Sequence, residues 1–79
     1  MRHFEYTDLG ANANKFWEIS LEAKKLNVTY GRIGILNPAT KTYIIGTNDP
    51  KKGFQKKEDA EKFYEKKIKE KISKGYIEK

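Results

Sequence analysis

The sequence predicts an α+β domain: an antiparallel β-sheet with one C-terminal amphipathic helix packed across one face. Three observations carry this reading. Residues 15–22 and 26–32 alternate apolar and polar positions, the period of strands with one wet side. Only a short link separates them, as in a hairpin. From Glu58 onward the apolar spacing changes to threes and fours, the period of a helix.

Taken in order, His3-Phe4-Glu5-Tyr6 reads as a brief strand at a sheet edge. Asp8 through Asn14 is a turn-prone linker of small and Asx residues. In the next strand Trp17, Ile19 and Leu21 share one face, and Glu18, Ser20 and Glu22 share the other. A large ring on an apolar face belongs to the core, so Trp17 is read as a core residue. Ala23-Lys24-Lys25 connects to the following strand, where Leu26, Val28 and Tyr30 continue one face.

Asn37-Pro38-Ala39-Thr40 breaks the chain. Thr42 to Gly46 is a third, more apolar strand, closed by the turn residues Thr47 to Pro50. Lys51 to Lys57 is a basic connector around Phe54. In the helix, Ala60, Phe63, Tyr64, Ile68, Ile72 and Tyr76 form one stripe. Ile72 and Tyr76 are expected against Trp17 and Ile19. Glu58, Asp59 and Glu61 near the start, and Lys69, Lys71 and Lys74 near the end, suit the helix dipole. Glu58 with Lys62 and Glu65 with Lys69 have the spacing of helical ion pairs. Gly75 is placed to end the helix, and no side chain stands ready to cap its start.

With 79 residues the chain is expected to form one domain spanning 1–79. Its aromatic content of 13% must supply much of a small core, because 35% of the residues are charged. No cysteine is present, which excludes disulfides, thiolate metal sites and cysteine nucleophiles. The N-terminal residues lack an apolar signal region, and no stretch approaches the length of a membrane span. The reading is a soluble, cytoplasmic protein. A formal charge of +6 favours a polyanionic partner, nucleic acid above all.

Catalysis finds no support. His3 is the single histidine, and nothing in the pattern brings it beside Ser20 or Ser73. Neither GxxxxGK[ST] nor GxGxxG occurs. No metal and no cofactor are expected. The remaining candidates are binding groups, and Tyr30-Gly31-Arg32 is the strongest. Tyr30 and Arg32 share strand parity, and Gly31 and Gly34 thin the backbone around them. On residues alone two readings stand together. Arg32 either reaches a ligand, or pairs with a carboxylate of its own fold over Tyr30.

Asn14-Lys15-Phe16-Trp17-Glu18-Ile19, Tyr30-Gly31-Arg32-Ile33-Gly34, the helix and Lys74-Gly75-Tyr76, in that order, resemble the WGR domain. This module occurs in DNA-dependent poly(ADP-ribose) polymerases and in small bacterial proteins, and is named for a Trp-Gly-Arg triplet. The resemblance covers nearly the whole chain, with Tyr30 where the triplet has tryptophan. It implies a nucleic-acid-binding role at the terminus of a broken DNA strand. By position, Tyr30 would lie against the terminal nucleotide and Arg32 on phosphate, with Gly31 giving backbone access. Asn14 and Lys15 would stand near the strand-end phosphate. Lys51 and Lys52 are expected to add milder point-charge contacts. The expected partner is therefore DNA, at ends or nicks, or another nucleic acid. The alternative is a protein partner docked on the same Tyr30–Arg32 surface.

Overall fold

In the computed structural model, which describes Met1–Lys79, the elements run β1 (Arg2–Asp8), β2 (Ala13–Leu21), β3 (Lys25–Arg32), β4 (Ala39–Ile45), β5 (Gly53–Phe54), α1 (Lys57–Ser73) and β6 (Ile77–Glu78). The strands form one sheet in the order β5-β4-β3-β2-β1-β6. All pairings are antiparallel except β4 with β5, which is parallel. The fold is α+β, with the single helix near the C-terminus.

Register converts the alternation of each strand into rows that cross the sheet. Leu21 faces Leu26, and Leu26 faces Tyr43. Ile19 faces Val28, which faces Lys41. Phe4 faces Trp17, which faces Tyr30. Tyr6 faces Lys15, which faces Arg32. All these residues share one side of the sheet, because side chains repeat with period two. Along β2 and β3 that side therefore passes from aliphatic to aromatic to cationic.

The helix covers the apolar rows. Phe4, Trp17, Ile19, Leu26, Val28, Ala60 and Ile68 form the buried core. Phe4, Ile19 and Leu26 are completely buried, each contributing roughly 1.5–3 kcal/mol relative to an exposed position. Tyr43, Phe54 and Phe63 close one flank with ring centroids 5.1–5.6 Å apart. Tyr6 and Tyr76 meet at 5.4 Å on the other.

Several local expectations change. β1 is an inner strand, because β6 adds outside it, with Phe4 opposite Glu78. An Arg2–Glu78 fork holds β6 there, Nε and Nη2 donating at 2.8 and 2.6 Å. Residues 39 and 40 open β4 rather than breaking the chain. The basic connector contains β5, where Gly53 lies so close to the Ile44 backbone that a side chain has no room.

Ile72 is 53% exposed and does not pack with Trp17. Helix geometry explains this: at 100° per residue, Ile72 is rotated about 120° from Ala60. The helical ion pair within 4 Å is Lys67–Glu70, at 3.3 Å, and neither expected pair forms. The helix ends as expected. Gly75 has φ +101°, its N–H donates to Ile72, and Tyr76 N–H donates to Lys71. Lys56 at the N-cap offers no side-chain bond to the first turn.

Candidate nucleic-acid interface

Beyond Trp17 the helix no longer covers the sheet, and a cleft of about 460 Å³ opens between them. Its floor is Trp17, Val28, Tyr43 and Phe63, and Tyr30 stands at its side. Tyr30 is 47% exposed and so open to contact. Five cations line the space: Lys15, Arg32, Lys41, Lys67 and Lys71. No carboxylate lines it.

Strand register positions three of these cations. Lys15 lies directly opposite Arg32, and Lys41 lies opposite Val28. The helix supplies Lys67 and Lys71. Each falls within about 20° of Ala60 on the helical wheel, so both sit at the centre of the face turned to the sheet. At that end of α1 the inward face meets open space rather than core, and lysine can occupy it.

Three of the cations rest on rings, and of the five only Lys67 also has a carboxylate within 4 Å, that of Glu70. Lys41 Nζ is 5.0 Å from the Tyr43 centroid, and Lys67 Nζ is 5.5 Å from Phe63. Lys71 Nζ lies 5.5 Å from Trp17 and 5.2 Å from Tyr76. A ring face attracts a cation but leaves its charge uncancelled. Burial pushes the Lys71 pKa below the usual lysine value, and the neighbouring charges of Lys74 and Lys67 push it the same way. Arg32 has no carboxylate within 4 Å, so the internal ion pair that was one reading of this residue does not form. Five cations gathered beside aromatic rings, four of them without a carboxylate within 4 Å, make a surface for anions carrying flat groups.

Of the residues singled out from sequence, Tyr30, Gly31, Arg32 and Lys15 meet at this cleft. Asn14 has the opposite parity to Lys15; its carbonyl accepts the Ile33 N–H at 3.0 Å, and the residue does not line the cleft. Lys51 and Lys52 lie elsewhere. The Lys52 carbonyl accepts from Ile44, which pairs with Lys25 at the far end of β3. That is roughly 23 Å of strand from Arg32. Lys41, Lys67 and Lys71 escaped the sequence reading. Lys41 shares parity with Tyr43, and the wheel angle would have marked the helical pair.

The glycines also have packing roles within the fold. A Cβ on Gly31 would lie 3.2 Å from Ile35 Cγ2 and 3.8 Å from Phe16 Cε1, on the side of the sheet away from Tyr30. What comes close to Gly31 is therefore the chain's own 35–38 loop. Gly34, with φ +89°, makes the turn in which Ile35 N–H donates to the Arg32 carbonyl.

The cleft is thus a cationic surface with an aromatic lining. No cluster of three or more metal-ligating side chains occurs, and no helix is long and apolar enough to cross a membrane. The family model for the WGR domain matches residues 1–79, and the chain belongs to that family. The family is one of non-catalytic nucleic-acid-binding modules. No curated protein and no solved structure matches the chain.

Proposed function

We propose that the cleft recognises the end of a DNA strand, at a break or nick, through phosphate contacts and aromatic stacking. The observation that carries this reading is the set of five cations lining one cleft without a carboxylate. Arg32 and Lys15 take the backbone phosphates, and Tyr30 lies against the terminal nucleotide. Phosphate contacts give affinity with little sequence preference, whereas a ring needs an exposed nucleotide. In this reading residues 1–79 act as one cytoplasmic, non-catalytic domain without metal or cofactor.

The test is a titration of labelled duplex carrying a 5′-phosphorylated end against a closed circle of equal length. The linear DNA should bind more tightly, and added salt should weaken both. Equal affinity for the two would overturn the proposal. A second reading draws on the turn after Arg32, where Ile33, Ile35 and Leu36 are 43%, 47% and 92% exposed. An apolar edge beside the cleft suits a protein partner. In that case Arg32→Ala would abolish partner binding and leave DNA affinity unchanged.

A further inference from the structure

The cleft has more lining than the one ring on which a duplex end would stack. A paired terminal base offers a flat face, and the exposed ring of Tyr30 at the side of the cleft is enough to meet it. Behind Tyr30 lies an apolar space floored by Trp17 and Val28, which are 4% and 8% exposed, with Tyr43 and Phe63 beside them. At about 460 Å³ the cleft falls in the size class of small-ligand pockets, about 300–1,000 Å³. Its lining is apolar at the base and cationic around it, which matches one nucleotide: a flat apolar base and an anionic phosphate. Lys71 sits over Trp17 and Tyr76 with no carboxylate within 4 Å, so an arriving phosphate would supply its missing counterion.

Resting on the DNA-end reading above, we propose that the cleft takes up the base of an unpaired terminal nucleotide, between sheet and helix, with its phosphate held by Lys71, Arg32 and Lys15. The preferred ligand is then an end with a single-stranded overhang. A blunt end must first unpair its last base, a cost that an overhang does not incur.

Trp17, the single tryptophan of the chain, lies in the floor and reports occupancy directly. The experiment compares three 5′-phosphorylated duplexes of equal length with the wild-type protein. One is blunt, one carries a short overhang, and one carries the same overhang with an abasic terminal nucleotide. Affinity and Trp17 fluorescence are both measured. The overhang should bind about tenfold tighter than the blunt end, the abasic end should lose that gain, and only the intact overhang should quench Trp17. Equal affinity for intact and abasic overhangs with unchanged emission would overturn the inference. DNA-end recognition would survive that result if the phosphorylated ends still outbound a closed circle. If no end outbinds the circle and Arg32→Ala changes nothing, both readings fall.

Discussion

The two faces of the sheet are built from alternate residues of the same strands, yet they treat charge in opposite ways. On the reverse face every ionic group finds a partner. His3 lies between Glu18 and Glu5, with Nδ1 2.6 Å and Nε2 2.8 Å from their carboxylates, and its ring stacks on Phe16 at 5.8 Å. Thr42 donates to Asn27, which donates to Glu22. On the helix face Lys41, Lys67 and Lys71 meet aromatic rings, and of the five cleft cations only Lys67 has a carboxylate within 4 Å. A face whose charges are satisfied internally has little to offer an ionic ligand. A face that leaves them open gains affinity for one, and adds little to its own stability through them.

The largest effect is expected at the point where the helix face changes from core to cleft. Trp17→Ala should cost on the order of 3–5 kcal/mol in urea denaturation, because the ring is buried against Phe4. A loss below about 1 kcal/mol would show that the ring serves the cleft alone.

Tyr30→Ala acts one row further out, where the ring is half exposed. It should lower the preference for DNA ends over closed circles by about 1–3 kcal/mol, with the salt slope unchanged. A reduced slope would assign Tyr30 to phosphate positioning. Arg32→Ala should weaken binding of unrelated sequences equally and lower the salt slope by about one unit. Its melting temperature should hold, since Arg32 makes no ion pair in the fold. A marked fall in melting temperature would count against the open-charge account. Replacing both Lys51 and Lys52 by alanine should cost less affinity than Lys15→Ala, in spite of removing more charge, because they lie at the other end of β3. An equal or larger loss would extend the DNA surface along the sheet.

The smallest effect belongs to the reverse face. Hydrogen bonds to Glu5 and Glu18 raise the His3 pKa above 6.5, outweighing the opposing effect of burial. The protonated form is favoured on folding, so this stability is fully present below about pH 6.5. It is lost as pH rises through the elevated folded value. Wild-type melting temperature should therefore fall between pH 6 and pH 9 by more than that of His3→Gln. Parallel pH profiles for the two proteins would remove the ion-pair role. Glu18→Gln should leave DNA affinity untouched at any of these pH values.

How much was legible without coordinates varies by element. The faces of β2 and β3 could be read directly, because period two assigns sides once a strand is granted. So could the helix stop, since Gly75 takes a backbone angle that other residues avoid. β5 and β6 each span two residues, too short to show any period. They exist because chain already placed by the helix and its turns falls beside an open edge. Ile72 was misplaced because counting threes and fours hides the drift that the angle of 100° per residue reveals.

For the site, composition and parity by themselves determined that Tyr30 and Arg32 would project together near the end of a strand, in a chain with an excess of positive charge. Those are properties of neighbours in sequence. Three decisions needed the assembled structure: which cations join the pair, what fills the space beside Gly31, and whether Arg32 has a partner. Lys41 and Lys71 reach the cleft through sheet register and helix docking, and Lys51 and Lys52 are carried away by the same register. Register and docking depend on contacts between residues far apart in the chain, and local pattern carries no information about them.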